Sequence, residues 1–263
     1  MYILADIGGT NTRVAVSFTG DGFEEPIIYN TPKNFEEGLA KFKETVKSLS
    51  QGNRPKGLSI GIPGTLNSKK TKLLNSPNLP NWNQKPFHKE LFMEYGCEVL
   101  LENDAVLAGL GEIYYGAGIQ TTPLTIIAYF TIGTGIGGAV FFNGEPLPSK
   151  YGFEPGHQVI SNNKTFEQLA GGGHVNYDLE EDKLEAKRFT VTGIYNSILH
   201  WSPDLVIMGG GLVNHNIVDV NFIKSEVENL MQVFPKAPEF KKSVLGDLNG
   251  IYGALANITQ HIA

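Results

Sequence analysis

The stretch Asp6-Ile7-Gly8-Gly9-Thr10-Asn11-Thr12 joins two short apolar runs near the start of the chain. Residues 2–5 precede it and residues 14–16 follow it, so the pattern predicts a strand, a tight glycine turn and a second strand. Adjacent glycines permit positive φ angles and leave no Cβ over the loop, so backbone amides can approach an anion closely. The two threonine hydroxyls add donors. We interpret the stretch as a phosphate-binding loop, with an ordinary Gly-Gly hairpin as the alternative.

Asp6 places a carboxylate at the end of the first predicted strand. Magnesium ions bound to phosphates take oxygen ligands and usually keep several water molecules. Asp6 is therefore predicted to hold Mg²⁺, through water, next to the glycine loop.

A similar pattern recurs about halfway along the chain. Residues 124–130 are apolar, residues 131–138 read Thr-Ile-Gly-Thr-Gly-Ile-Gly-Gly, and residues 139–142 are apolar again. A pattern repeated at the scale of a domain indicates two similar halves. Two such loops could hold a polyphosphate from both sides.

Composition limits the class of protein. The 263 residues fit two modest domains, and 41% hydrophobic with 18% charged residues is typical of a folded protein. The net charge of −6 gives no bulk attraction to nucleic acid or to an anionic membrane. A single cysteine, Cys97, excludes an internal disulfide. We see neither a secretory signal nor an apolar stretch long enough to cross a bilayer, and we expect a cytoplasmic protein.

Hydrophobic periodicity predicts the same order of elements in both halves, hairpin strands followed by alternating helices and strands. The predicted strands are 2–7, 13–19, 26–30, 57–62, 98–101, 124–130, 138–143, 156–160, 205–208 and 243–246. The predicted helices begin at Asn34 and Asn103-Asp104 or span 84–95, 165–170, 182–200, 220–233 and 249–262. We therefore predict two α/β domains, 1–116 and 117–248, with a cleft between them and a final helix, about 249–263, that packs back on the first.

Glu102-Asn103-Asp104 lies where a predicted strand ends and a helix begins. An Asp at that position is most often a helix N-cap. A carboxylate at the end of a strand could also act as a general base that accepts a proton from an attacking hydroxyl. Asn103 could bind the same substrate through its amide.

Two other clusters suit a small ligand. Glu154 and His157 lie three residues apart around a Pro-Gly turn, so both could contact the vicinal hydroxyls of a sugar, although a turn histidine often has a backbone partner instead. Glu167 alone reads as a solvated helix carboxylate. The glycines at 209–211 follow a buried strand and permit the close approach of a nucleoside, or else form a plain strand-to-helix turn.

Taken together and in order, these motifs resemble the ROK family of bacterial sugar kinases and sugar-sensing repressors. The motifs are Asp6-x-Gly-Gly-Thr, Pro63-Gly64, Asn78-Leu79-Pro80-x-Trp82, Glu102-Asn103-Asp104, Gly133-Thr134-Gly135-x-Gly137-Gly138, Glu154-x-Gly156-His157 and Met208-Gly209-Gly210-Gly211. The resemblance implies the actin-like, ribonuclease H-type α/β fold in two domains, ATP and Mg²⁺ as cosubstrate, and a homodimer.

The resemblance also implies roles for single residues. Asp104 matches the catalytic base, and Asn103, Glu154, His157 and Glu167 match ligands of sugar hydroxyls. The first phosphate loop is matched by Gly8, Gly9, Thr10 and Thr12, the second by Thr134, Gly135 and Gly137, and the nucleoside site by Gly209, Gly210 and Gly211.

One interval departs from the family pattern. Many members carry zinc-binding cysteines between the Glu-x-Gly-His motif and the later glutamate, whereas residues 158–166 contain none. No zinc site is therefore expected, and something else must hold the loop that orients His157. The family's repressors carry a DNA-binding domain before the first strand, and none is expected here.

The resulting hypothesis is an ATP-dependent, glucokinase-like hexose kinase in which Asp104 takes the proton of the sugar 6-hydroxyl. One alternative is a sugar sensor of the same fold without catalysis, for which Asp104 and two phosphate loops have no evident use. Another is an actin-like ATPase of a different class, for which Glu154 and His157 have no evident use.

Overall fold

The computed structural model describes residues 1–119 and 125–262. Leu124, with which a predicted strand begins, and Ala263, the end of the predicted last helix, lie outside the described residues. The chain divides into two compact units. The first unit comprises Met1–Gly111, Pro148–Gly152 and residues from 248 onward, and the second comprises Glu112–Leu147 and Phe153–Asp247.

Strands and helices alternate in the described residues. The strands are β1 (Tyr2–Ile7), β2 (Asn11–Ser17), β3 (Ile27–Asn30), β4 (Gly57–Ile62), β5 (Thr65–Leu66), β6 (Leu73–Asn75), β7 (Glu98–Asn103), β8 (Ile126–Ile132), β9 (Ile136–Phe142), β10 (Glu145–Pro146), β11 (Val159–Ser161), β12 (Lys164–Thr165), β13 (Leu205–Gly209) and β14 (Glu239–Lys242). The α-helices are α1 (Phe35–Ser50), α2 (Phe87–Tyr95), α3 (Asp104–Tyr115), α4 (Phe166–Ala170), α5 (Glu180–Trp201), α6 (Gly211–Asn214), α7 (Val220–Leu230) and α8 (Asn249–His261). Three 3₁₀ turns cover Pro80–Trp82, Pro155–His157 and Gly246–Leu248.

The first unit is built on a five-stranded sheet in the order β3-β2-β1-β4-β7. Strands β1, β2 and β3 are antiparallel neighbours, whereas β4 and β7 run parallel to β1. The carboxyl ends of β1, β4 and β7 therefore lie at the same edge of the sheet. Since β1 and β4 are almost entirely buried, this edge is fixed by the apolar core.

The second unit repeats this plan with a sheet in the order β10-β9-β8-β13-β14. Strand β8 is antiparallel to β9 and parallel to β13, and β13 is parallel to β14. A glycine turn joins β8 to β9, as another joins β1 to β2. The two similar α/β halves that the repeated pattern predicts are thus confirmed.

Two predicted strands of the second half are wrong. The stretch 156–160 forms a 3₁₀ turn followed by β11, and β11 pairs with β12 in a sheet of its own, while β10 occupies the edge of the main sheet. Strand β14 precedes the predicted segment 243–246. Its sequence, Glu-Phe-Lys-Lys, lacks the apolar pattern by which strands are predicted, because an edge strand tolerates charged side chains that a central strand would exclude.

Helix α1 begins where its sequence predicts. The Asn34 side chain accepts a hydrogen bond from the Glu37 amide at 3.0 Å, and Glu36 adds a carboxylate to the first turn. Both features satisfy or stabilise the amides that a helix leaves unpaired at its N-terminus.

Helix α8 packs against α3 with almost no side chain between the two backbones. A Cβ on Gly253 would lie 1.7 Å from the carbonyl oxygen of Leu107, and one on Gly111 would lie 2.2 Å from that of Asn249. A Cβ on Gly250 would lie 2.6 Å from the Asp6 carboxyl carbon. Helix α8 therefore packs directly against α3, which begins at Asp104, and against Asp6 of β1.

Replacing Gly253 with Ala is expected to destabilise the first unit by about 1–3 kcal/mol, because the added methyl group meets backbone atoms that cannot rotate away. Denaturation in urea measures the effect as a lower midpoint. Gly22→Ala is the matched control, since a Cβ there meets no atom within 4 Å. Equal midpoints for the two variants would contradict the close packing of α3 and α8.

Candidate functional site

The shared edge of the first sheet brings Asp6 and Asp104 near each other. A Cβ on Gly61, at the end of β4, would lie 3.6 Å from Asp6 Oδ1 and 3.5 Å from Asp104 Cα. Leu107 Cδ1 would lie 3.2 Å from the same Cβ, so a glycine at this position lets β4 approach both aspartates and Leu107 closely. Arg13 Nη1 lies 3.9 Å from Asp6 Oδ2.

Asn103, and not Asp104, is the residue that caps helix α3. Its Oδ1 accepts hydrogen bonds from the amides of Ala105 at 2.9 Å and Val106 at 3.2 Å, and its Nδ2 donates to the Gly64 carbonyl at 3.1 Å. Asp104 is the first residue of the helix, and its Oδ1 accepts from the Ala105 amide at 2.9 Å. The Asp104 carboxylate therefore lies at the N-terminus of a helix, where a negative charge is stabilised.

Glu102 holds the strand end that precedes the cap. Its carboxylate is buried, accepts from the Asn103 amide at 2.9 Å and forms an ion pair with Lys70. Buried charge is tolerated because it is paired and hydrogen-bonded. The order Glu102-Asn103-Asp104 thus supplies a fixed strand end, a helix cap and a helix-terminal carboxylate in three successive residues.

The first glycine loop is held from two sides. The Gly8 amide donates to the Asn11 carbonyl at 2.8 Å, and the Thr31 hydroxyl donates to the Gly8 carbonyl at 2.7 Å. A Cβ on Gly9 would lie 2.9 Å from Cβ of Asn78, so this position needs glycine for packing. Thr10, at the tip of the loop, is exposed.

Thr12 lies inside the first unit and not on the loop surface. Only 2% of the residue is exposed, and its hydroxyl lies 2.9 Å from that of Thr31. Because the single Thr31 hydroxyl hydrogen goes to Gly8, Thr12 is the donor of this pair. Thr12 therefore stabilises the loop from inside the unit, through Thr31. The sequence pattern assigned Thr10 and Thr12 the same role, whereas in the structure Thr10 is exposed and Thr12 is buried.

Lys33 and Asn78 belong to this loop but escaped the sequence analysis as site residues. Lys33 Nζ donates to the Gly9 carbonyl at 2.5 Å and to the Asn78 carbonyl at 3.3 Å. Asn78 is part of the Asn-Leu-Pro-x-Trp motif, which is a usable signal. Nothing in the sequence near Lys33 indicates that it contacts a loop more than twenty positions earlier.

The second glycine loop is likewise held by backbone bonds. The Gly133 amide donates to the Gly135 carbonyl at 2.9 Å and closes the turn. The amides of Gly172 and Gly173 donate to the carbonyls of Gly133 and Thr134, each at 2.8 Å. The glycine run after α4 is therefore a further part of the site, for which the three consecutive glycines in the sequence were an unused signal.

The three glycines at the end of β13, residues 209–211, differ in what surrounds them. A Cβ on Gly209 would lie 2.7 Å from the Tyr129 hydroxyl, and Gly210 has φ +91° and would place a Cβ 2.5 Å from the Ile132 amide nitrogen. A Cβ on Gly211 would meet nothing within 4 Å, whereas one on Gly133 would lie 3.6 Å from the Gly211 amide nitrogen. Packing requires the first two glycines, and only Gly211 borders open space next to the second loop.

Glu154 and His157 flank a 3₁₀ turn in the second unit. His157 Nδ1 lies 3.6 Å from Glu154 Oε2, and both side chains keep part of their surface exposed. Burial raises the pKa of the Glu154 carboxyl; His157 lowers it, and the charge of Glu167 raises it. The second unit therefore places Glu154 and His157 at one turn, with Glu167 near enough for its charge to act on Glu154. That the three bind one molecule stays a prediction.

Glu167 is not a solvated helix carboxylate. Its Oε2 accepts a hydrogen bond from the Ile136 amide at 2.8 Å, and a Cβ on Gly135 would lie 2.6 Å from the same oxygen. Its Oε1 lies 3.9 Å from Nε2 of His174, a second imidazole that the sequence analysis did not single out. Glu167 thus holds the second glycine loop through its hydrogen bond, while its charge acts on the Glu154 carboxyl.

The described residues contain no group of three or more His, Cys, Asp or Glu side chains that could hold a metal ion. A magnesium ion on a nucleotide has different needs, since one carboxylate, water and phosphate oxygens suffice. Asp6, at a strand end next to the first glycine loop, fits that requirement. Within residues 1–119 and 125–262 no helix is long and apolar enough to cross a membrane.

Comparison with known proteins identifies relatives over most of the chain. Residues 2–172 match the sequence profile of the ROK family. Glucokinase from Thermotoga maritima is 32% identical over 162 residues, which are 60% of this chain and 50% of the relative. N-acetyl-D-glucosamine kinase from Histophilus somni is 28% identical over 97% of this chain and 98% of its own length.

A solved relative shows the fold. The crystal structure of a ROK family glucokinase from Streptomyces griseus, in complex with glucose and AMPPNP, superposes with a TM-score of 0.83 at 20% identity, over 98% of this chain and 99% of that one. The predicted actin-like, two-domain α/β fold is thereby confirmed.

Replacing Glu167 with Ala is expected to loosen the second glycine loop, because the buried Ile136 amide loses its acceptor at a cost of about 1–3 kcal/mol. Hydrogen exchange followed by mass spectrometry should show faster exchange in residues 131–137. Glu167→Gln is the control, since an amide oxygen can still accept this bond. If the Ala and Gln variants exchange alike, Glu167 does not hold the loop.

Proposed function

The chain belongs to the ROK family, and on that basis we propose that it is an ATP-dependent sugar kinase that phosphorylates a hexose. The observation that carries the proposal is the position of Asp104. It begins helix α3 near Asp6 and Gly61, while the adjacent Asn103 provides the helix cap. That arrangement suits a base that receives the proton of a sugar hydroxyl.

The relatives support a sugar of gluco configuration. One is named glucokinase, one N-acetyl-D-glucosamine kinase, and the Streptomyces enzyme was crystallised with glucose and AMPPNP, an analogue of ATP. Glucose and N-acetyl-D-glucosamine differ only in the substituent at C2. We propose that the substrate is one of these two sugars and that the group phosphorylated is the 6-hydroxyl.

Asp104 is the general base of the proposed reaction. Its carboxylate accepts the proton of the 6-hydroxyl while the oxygen attacks the γ-phosphorus of ATP, the bond to the β-phosphate oxygen breaks, and ADP leaves. The carboxylate lies at the helix N-terminus, where a negative charge is stabilised. Asn103, whose Oδ1 caps the helix and whose Nδ2 gives one hydrogen to the Gly64 carbonyl, binds the same sugar through the second Nδ2 hydrogen.

The second unit provides the remaining sugar ligands. Glu154 and His157 offer an acceptor and an imidazole at one turn, which suits a pair of neighbouring hydroxyls. Glu167 adds a second carboxylate whose position is fixed by the Ile136 amide. Because Glu167 also holds the second glycine loop, binding of the sugar and of the phosphates depends on the same side chain.

The glycine loops bind the nucleotide. The loop with Gly8, Gly9 and Thr10, in which the Gly8 amide closes the turn on the Asn11 carbonyl, and the loop with Thr134, Gly135 and Gly137 present their remaining backbone amides to the phosphates. Gly211 leaves room for the nucleoside. Mg²⁺, held through water by Asp6, supplies charge neutralisation on the phosphates when it is bound. Thr12, Gly209 and Gly210 act on the nucleotide indirectly, because their contacts lie within the protein.

The direct test is ADP release, measured with a coupled assay and a panel of glucose, N-acetyl-D-glucosamine, N-acetyl-D-mannosamine, mannose and fructose. The wild-type protein is expected to release ADP only when glucose or N-acetyl-D-glucosamine is present. Asp104→Asn should lower turnover by about 10²–10⁴-fold, because the base is lost, and leave sugar binding nearly unchanged.

Asp21→Asn, an exposed carboxylate of the same unit, is the control for this substitution. Calorimetric titration with sugar separates binding from turnover. Sugar-independent ATP hydrolysis would favour a different class of ATPase, and sugar binding without ADP release would favour a sensor. An Asp104→Asn variant that keeps most of the activity would show that Asp104 is not the base.

The pKa of Glu154 gives a prediction on pH. Burial raises this pKa, so the carboxylate is protonated, on acidification, at a higher pH than an ordinary glutamate. A protonated Glu154 no longer offers a charged acceptor to a hydroxyl. The KM for sugar is therefore expected to rise as the pH falls toward the raised pKa, while the KM for ATP changes little.

Initial rates measured from neutral to mildly acidic pH check this. Glu154→Gln cannot titrate, so its sugar KM should start higher and lack the rise at acidic pH. The same pH dependence in wild type and Glu154→Gln would assign it to another group.

A further inference from the structure

We propose that Gln158 is the positioning residue that holds Glu154 and His157 for sugar binding, by tying their turn to helix α5. The proposal rests on the function proposed above and extends it to a residue outside the motifs. Gln158 directly follows His157 in the chain, and its side chain points back beneath the turn.

The Gln158 side chain has three acceptors within reach. Its Nε2 lies 3.0 Å from the Pro155 carbonyl oxygen, 3.1 Å from that of Gly193 and 3.2 Å from the Ser197 hydroxyl. Carbonyl oxygens only accept hydrogen bonds, so the nitrogen of the amide must face them. Ser197 in turn donates to the Gly193 carbonyl at 2.9 Å, which leaves its oxygen available as an acceptor. One side chain thus joins the 3₁₀ turn that contains Pro155 to the helical turn of α5 that contains Gly193 and Ser197.

The segment 158–166 is also held at its other end, by Phe166, against the same helical turn of α5. The Phe166 amide donates to the Gln158 carbonyl at 2.9 Å, and the Phe166 ring is fully buried. A Cβ on Gly193 would lie 2.5 Å from that ring, so α5 accommodates Phe166 only because residue 193 is glycine. Residues 154–157 and Glu167 are therefore both anchored on the Gly193 turn, one through the Gln158 side chain and the other through Phe166.

The intervening hairpin offers little other support. Strands β11 and β12 contain three and two residues, Val159 is 64% exposed, and Asn162 and Asn163 at the hairpin tip are exposed. In this chain hydrogen bonds at the base of the hairpin do the positioning, and Gln158 makes three of the contacts.

The contacts of Gln158 predict which kinetic constant depends on it. They lie on Pro155, Gly193, Ser197 and Phe166, all in the second unit, whereas Asp104 belongs to the first. Loss of the amide should let the turn of Glu154 and His157 move and weaken sugar binding. The chemical step at saturating sugar should be affected much less.

The experiment compares Gln158→Met, which keeps the volume but has no amide, and Gln158→Ala with Gln232→Ala, an exposed glutamine of the same unit. Rates are measured against sugar and ATP separately, sugar binding by calorimetry, and stability by thermal unfolding. Both Gln158 variants are expected to raise the KM and Kd for sugar about tenfold, as for the loss of one or two hydrogen bonds. The KM for ATP and kcat should change by less than about threefold, and Gln232→Ala should behave as wild type.

Unchanged sugar binding in a folded Gln158→Met variant would overturn the proposal, as would equal losses for sugar and ATP. If Gln158→Met fails to fold, Gln158→Glu gives a second measurement. Its carboxylate faces two carbonyl oxygens, so sugar binding should fall further at neutral pH, and the deficit relative to wild type at the same pH should shrink on acidification. Wild-type protein that binds sugar without phosphorylating it would refute the kinase function, while the Kd values still test Gln158. Wild-type protein that binds no sugar would refute both.

Discussion

The hydrogen bonds that the Asn103 side chain accepts from the first turn of α3 are the interaction on which the proposed chemistry depends. They satisfy amides that the helix leaves unpaired, and the Asn103 amide also reaches the Gly64 carbonyl after β4. The position of Asp104 is therefore fixed by two neighbouring strand ends and a helix start. Glu102, which is buried and paired with Lys70, also holds the end of β7 through its hydrogen bond from the Asn103 amide. A base placed in this way needs little rearrangement before proton transfer.

Each glycine loop is shaped by chain segments distant in sequence. In the first unit Thr31 and Lys33 bind the loop carbonyls, and in the second unit the amides of Gly172 and Gly173 do so. Donors from elsewhere occupy the loop carbonyls, which would repel a phosphate, while glycine keeps side chains away from the loop amides. The same physical solution thus appears twice, on two sheets of equal strand order but with different partners.

In the second unit Glu167 and Gln158 each hold residues to which we assign sugar or phosphate binding. Glu167 accepts a hydrogen bond from the Ile136 amide beside the second glycine loop, and its charge raises the pKa of the Glu154 carboxyl. Gln158 ties that pair to α5, on the helical turn against which Phe166 also packs. Affinity for sugar should therefore depend on the packing of a helix that contributes no side chain to the substrate.

The sequence alone determined the strands of the first sheet, the three central strands of the second, the two glycine hairpins and the carboxylates at strand and helix ends, because periodicity and glycine act on neighbouring residues. Spacing also paired Glu154 with His157, whereas Glu167 was added to them only by the resemblance to the family. Only the tertiary structure decided that Thr12 faces the core, that Asn103 rather than Asp104 caps α3, and that Gly209 and Gly210 serve packing. The tertiary structure also decided that Lys33 and Gly172 bind the glycine loops, that Gln158 contacts α5, and that the charged strand β14 lies at a sheet edge. These depend on contacts between distant segments, for which a single sequence carries no periodic signal.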